Sequence, residues 1–235
     1  MTHLVGGQTE TPRLIANLSL DASQNPADVI LSASERRIMS MIGNLARIPE
    51  ATRQKLHEHP ALIDNFLNPA TATTAAQAGS GFLGHLLHRK ESAPQELAEH
   101  LPEQDVIDID ETWHGLHFLF TGSGWEGEFP QGFLVSCGKP VGDEDVGYGP
   151  ARSFSPEEVT QIAAFLENVD EQTLRQRLDP KRMAELEIYP TYPGLKPEDV
   201  DLEDEWDYLT DSLHRMKEFI GETGANRMAL LVYIN

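Results

Sequence analysis

At 235 residues, 40% of them hydrophobic, the chain is long enough to bury one sizeable core. Eighteen Lys and Arg stand against 38 Asp and Glu, a net charge of −20 with His neutral. So negative a surface repels nucleic-acid phosphates and anionic headgroups. A lone cysteine, Cys137, excludes internal disulfides and points to a reducing, cytoplasmic setting.

Residues 1–38 mix polar, Gly and Pro positions with no sustained period, and read as a poorly structured N-terminal extension. Either Met39 or Met41 is a natural start for a compact domain over 39–235. No basic start followed by an apolar run opens the chain, so no signal peptide is expected. The first strand is expected at Ser40–Ile48. Pro49 suits a first helical position, predicting a helix to about His59, which Pro60 stops. Ala61–Leu67 restarts a short helix that Asn68-Pro69 ends. Residues 70–95, rich in Ala, Thr, Gly and Ser, read as a flexible insert around a short amphipathic piece, Phe82–His88.

The stretch Ile107–Gly122 sets Trp113, Leu116, His117 and Phe120 at the spacing of one helix face. A histidine therefore sits inside an apolar stripe, as a structural hydrogen-bond hub or as part of a site. Asp110 and Thr112 are the candidate caps of this helix. Phe133–Cys137 has strand character and leads into the loop GKPVGDEDVGYGP. Ser155-Pro156-Glu157-Glu158 is a strong helix start, with a capping box and Pro at the first position. The helix it opens buries Val159, Ile162, Ala163 and Leu166. Two shorter helices follow, near Asp170–Leu178 and Pro180–Glu187.

In the last long helix, Leu202, Trp206, Leu209, Leu213, Met216 and Ile220 alternate spacings of four and three, with Gly221 or Gly224 as the stop. Met228–Ile234 is the longest apolar run, far short of the ~20 residues that span a bilayer. Its unbroken apolarity argues for a central strand buried on both faces. Strands at both ends with helices between them predict an α+β fold, a small mixed or antiparallel sheet packed against several amphipathic helices.

With these segments placed, the chain resembles the YfbM-like family, a bacterial domain of unknown function. The resemblance runs from about Met39 to Asn235. It is carried in order by MIGNLARI, ID-ETWHGLHFLFTG, VGYGPARSFSPEEV, Glu187-Ile188-Tyr189-Pro190 and Trp206. It implies an α+β domain with a cleft lined from the Trp-His helix and the YGPAR loop. It implies no activity. Residues 1–38 and the Ala/Thr-rich insert depart from the family pattern.

No complete catalytic constellation is legible. Trp113, His117, Tyr148 and Arg152 are the candidate ligand-binding set: a histidine base, a phenol, and a guanidinium fork that holds anions. In the bland reading His117 bonds a backbone carbonyl or loop hydroxyl, and Arg152 neutralises Asp143-Glu144-Asp145. The His85–His88 and His114–His117 pairs share the i, i+3 spacing of metal ligands, but without a second cysteine or an HExxH they predict no metal. Gly79–Gly84 satisfies G-x-G-x-x-G, yet no convincing strand precedes it, so no dinucleotide or other cofactor is expected. Cys137 has no adjacent base and reads as a core residue.

Acids cluster twice, seven between Glu96 and Glu111 and seven between Glu198 and Asp207. Such runs are solvated faces, or a docking surface for a basic protein. Candidate partner contacts are Trp125, in a glycine-rich loop, with Asp143, Glu144, Asp145, Glu203 and Asp204. The favoured reading is a non-enzymatic acidic binding module, for example an immunity or inhibitor protein covering a basic bacterial toxin. The alternative is a small-molecule binder or enzyme with a pocket near His117, Tyr148 and Arg152.

Overall fold

The computed structural model describes residues 40–68, 100–190 and 196–235. The expectations for residues 1–38, for the whole 70–95 insert, for His85–His88 and for Gly79–Gly84 lie outside them.

Alternating and continuous apolar runs at the two ends of the domain meet in one sheet. Its strands are β1 (Gly43–Ile48), β2 (Val106–Asp108), β3 (Lys139–Pro140), β4 (Arg152–Phe154) and β5 (Ala229–Ile234), in the order β2-β1-β5-β4-β3. Every pairing is antiparallel, with Leu45 opposite Val232 and Ser153 opposite Leu231. The α+β expectation holds, in its antiparallel form. All six residues of β5 are buried because both faces of the central strand are covered. Leu230, Val232 and Ile234 join one core, and Ala229, Leu231 and Tyr233 join the other.

The second core is closed by α1 (Glu50–Glu58) through Leu56 and by α2 (Ile63–Leu67) through Ile63 and Phe66. The first is larger. It is built from α3 (Thr112–Thr121), α4 (Pro156–Glu167), α5 (Glu171–Arg177), α6 (Pro180–Glu185) and α7 (Leu202–Ala225). Ser155 opens α4 with the expected capping box: its hydroxyl accepts from the Glu158 N–H, and the Glu158 carboxylate accepts from the Ser155 N–H. In α4 Val159, Ile162 and Leu166 are buried, whereas Ala163 is half-buried. No described helix is long and apolar enough to cross a membrane.

Four local expectations change. Gly221 and Gly224 do not end α7, which runs through both to Ala225. A side chain at Gly224 would meet Ala163 Cβ at 3.6 Å and Thr160 Cα at 3.8 Å, ordinary contact distances, so this face of α7 rests on α4, while Gly221 faces open space. Leu202, at the outer end of the expected stripe, is 46% exposed; the buried stripe begins at Leu209.

Phe133–Cys137 is a run of turns, not a strand. Gly132 O accepts the N–H groups of Val135, Ser136 and Cys137, and the carbonyls of Phe133, Leu134 and Cys137 turn inward onto Arg152. Neither Asp110 nor Thr112 caps α3. Glu111 occupies that position without a side-chain capping bond to the helix, Asp110 sits at φ 52°, and the Thr112 hydroxyl donates back to the Ile109 carbonyl.

Candidate functional site

The α3 helix is buried on every side from Thr112 to Phe120. It is not the one-sided stripe its spacing suggests, because sheet, helices and the following loop cover it together. Trp113 packs so close to β1 that a Cβ on Gly43 would lie 2.7 Å from its own Cβ. Its indole N–H donates to the Met41 carbonyl at 2.9 Å. Beyond Phe120, Arg177 of α5 donates to the Leu119 and Phe120 carbonyls at 2.8 and 3.2 Å, closing the C-terminal end of the helix.

His114, rather than His117, is the hydrogen-bonding pin of this helix. Its Nδ1 accepts the Tyr189 backbone N–H at 2.9 Å, which leaves the proton on Nε2, and Nε2 donates to the Gly124 carbonyl at 2.7 Å. The ring stacks on Trp113, with centroids 4.8 Å apart and planes within 4°, and Tyr189 stacks on the same indole at 5.8 Å. Burial holds His114 neutral by pulling its pKa down. The Tyr189 hydroxyl donates to the Glu111 carboxylate at 2.8 Å and accepts the Met41 N–H at 3.0 Å. Tyr189 and His114 thus tie the entry of α3, the loop after it and the segment after α6 into one knot.

His117 is equally buried, and neither ring nitrogen makes a hydrogen bond of normal geometry. The Glu126 backbone carbonyl is the one group that favours its protonated form. Desolvation, reinforced by the neighbouring His114 and Arg152, pulls its pKa down to about 4. Arg152 is committed elsewhere: its guanidinium donates to the carbonyls of Phe133 (3.3 Å), Cys137 (2.7 Å) and Leu134. Burial pulls its pKa down to about 10. Among the described residues it pairs with no carboxylate, so it does not neutralise Asp143-Glu144-Asp145.

Those three acids are exposed. Asp145 braces its own loop by accepting the Gly147 and Gly149 N–H groups at 2.9 Å each. The Tyr148 side chain is 53% exposed, and no bond or ring contact between described residues joins it to His117 or Arg152. The expected pocket set is therefore not assembled by its own side chains. His114, both nitrogens engaged by backbone, is not available to share a metal with His117.

A cleft opens on the far side of Tyr189. It encloses about 470 Å³ between α6, the segment Ile188–Pro190, the single turn Pro197–Asp199 and the start of α7. Its apolar wall includes Met183, Ile188 and Tyr189. Asp199, Asp201, Asp204 and Glu205 face it, with Lys196 as the one cation lining it among the described residues. Asp201 is used as the N-cap of α7, accepting from the Glu203 and Asp204 N–H groups. Glu205 is half-buried, makes no ion pair among the described residues, and has its pKa raised by desolvation alone. This cleft is lined by neither the Trp-His helix nor the YGPAR loop, where the resemblance located one.

The profile of a domain-of-unknown-function family, DUF1877, matches residues 39–233. The chain belongs to that family. The crystal structure of YfbM from Escherichia coli, a protein of unknown function, superposes on the chain with a TM-score of 0.50 at 22% identity. The match covers 83% of this chain and 100% of that one. At that identity the likeness concerns the fold, and it agrees with the YfbM-like reading of the sequence. No curated protein matches the chain.

Within this YfbM-like domain the other candidates are placed as follows. Trp125 is 50% exposed and folds back on the knot, its ring 4.4 Å from His114 and 6.3 Å from Trp113. Cys137 is half-buried, its thiol directed to the Gly127 carbonyl at 3.4 Å. Glu203 pairs with Arg175, which also lies over the Trp206 ring at 5.4 Å. Asp204 is exposed and lines the cleft. Glu205, Met183 and Lys196 were not singled out from the sequence. Only the density of acids at 198–207 signalled this region, and nothing local indicated that a cavity lies beneath it.

Proposed function

We propose that the protein is a non-enzymatic binding module whose acidic face, centred on the start of α7, docks a basic protein. The observation that carries this reading is the state of the acids at 198–207. Six of the seven are exposed, and only Glu203 has a cationic partner among the described residues. The five exposed carboxylates without a cationic partner lie within ten residues of one another and repel each other, so a cationic surface laid over them relieves that repulsion and is steered toward it. An inhibitor covering a basic toxin would use such a face. The alternative pocket draws no comparable support, since Arg152 is held by carbonyls and His117 is sealed.

The test is affinity capture from host lysate with the full chain and with a charge-reversed variant, Glu198→Lys with Asp207→Lys. The reading expects a basic protein retained by the wild type, lost by the variant, and released at about 0.5 M salt, where screening acts over only a few ångströms. A retained partner indifferent to both changes overturns it.

A further inference from the structure

We propose that the cleft beside Tyr189 receives one lysine or arginine side chain of that basic partner, with Glu205 accepting its charged head and Met183 and Tyr189 flanking its aliphatic stem. The inference deepens the docking reading and rests on it for the source of the side chain. Its support is geometric. At about 470 Å³ the cleft is within the size range of pockets that enclose a ligand group. Its walls combine a thioether, an aromatic face and aliphatic carbon with four carboxylates and one lysine. A long cationic side chain has that same division, an apolar stem and a charged tip.

Charge complementarity selects the occupant. An anion would meet the four carboxylates, and a purely apolar group would leave Glu205 desolvated and unpaired. Asp201 is already engaged as the helix cap and Tyr189 in the Glu111 knot. Glu205 is the half-buried carboxylate left over, on the same turn as Asp204. A cation arriving there compensates a desolvation that folding has already imposed, so the site is preorganised for charge.

The probes are the capped tripeptide acetyl-Gly-Arg-Gly-amide, its lysine counterpart, and a norleucine counterpart that keeps a stem without charge. They are titrated into the full chain while the Met183 methyl is followed by NMR. The arginine or lysine peptide should shift that methyl saturably and the norleucine peptide should not. Glu205→Gln should weaken the interaction by about tenfold, the effect of removing a partly desolvated charge partner. Ala184→Trp, an exposed position on the cleft wall, should block entry without touching the charges.

Equal response to norleucine, no response to either cationic peptide, or indifference to Glu205→Gln overturns the inference. The two readings fail separately. A basic partner held by Ala184→Trp as tightly as by the wild type keeps the docking face and removes the cleft from it. Cationic peptides that bind at Met183, with no basic protein retained in capture, keep the cleft and remove the macromolecular partner.

Discussion

His114 and Tyr189 lie 75 positions apart and are joined by one short bond, the Tyr189 N–H donating to His114 Nδ1 at 2.9 Å. The same ring donates to Gly124, so a single neutral imidazole spans two backbone segments that share no other secondary structure. Its neighbour one turn on, His117, is as deeply buried, and neither of its ring nitrogens makes a hydrogen bond of normal geometry. The pair forms a natural contrast between a satisfied and an unsatisfied buried histidine.

That contrast predicts opposite mutational signs. His114→Phe keeps the stacking area but strands a backbone donor and a buried acceptor, and should cost about 2–4 kcal/mol. His117→Leu removes two unpaired polar atoms from an apolar setting and should be neutral or stabilising by up to about 1 kcal/mol. Urea denaturation of both variants checks this. A loss above 2 kcal/mol in His117→Leu would sink the account of His117 as unsatisfied.

Acid should destabilise the fold through the same residue. The native pKa of His117, about 4, lies below its ordinary 6.5, so between those values the unfolded chain binds the proton and the native one does not. Stability is therefore full above about pH 6.5, falls as pH drops toward 4, and levels off for this group below that. At 1.36 kcal/mol per unit the contribution is about 3 kcal/mol. His114 acts in the same direction. Comparing wild type with His117→Leu at pH 7 and pH 4 isolates the effect, and parallel pH profiles would refute it.

Arg152 should prove structural. Its guanidinium gathers three carbonyls from the Phe133–Cys137 turns, and removing it leaves those acceptors facing a void. Arg152→Ala should cost about 2–4 kcal/mol, and Arg152→Lys should recover part of it because an ammonium replaces only some of the fork. Thermal melts of the two variants decide. An Arg152→Ala protein as stable as the wild type would return the residue to the list of ligand-binding candidates.

Elements whose cause is local were readable in advance. The Ser155–Glu158 capping box needs four consecutive residues, and both of its hydrogen bonds form. The unbroken apolar run of β5 reports burial on both faces, because no polar face exists to turn outward. The repeat at Leu209, Leu213, Met216 and Ile220 marks the inner stripe of α7.

Where the cause lies far along the chain, local reading misassigned it. Phe133–Cys137 has strand composition, but Arg152, 15 to 19 residues on, draws its carbonyls into turns. Gly224 is a stop signal by propensity, yet α7 runs through it with that face resting on α4. The histidine spacing on α3 identified the right helix and the wrong ring. Period alone marks a face as apolar, and α3 has no outer face at all.

By itself the sequence determined the α+β class, its central strand, the Ser155 capping box and the acid density at 198–207, since period, capping and composition act within a few residues. Tertiary structure alone decided that His114 is the pin, that Arg152 is a carbonyl clamp, and that a cleft opens beside Tyr189 with Glu205 on its wall. Each of these depends on which distant segment arrives at a given side chain. That is set by the packing of two cores across one sheet, a property no window of the chain contains.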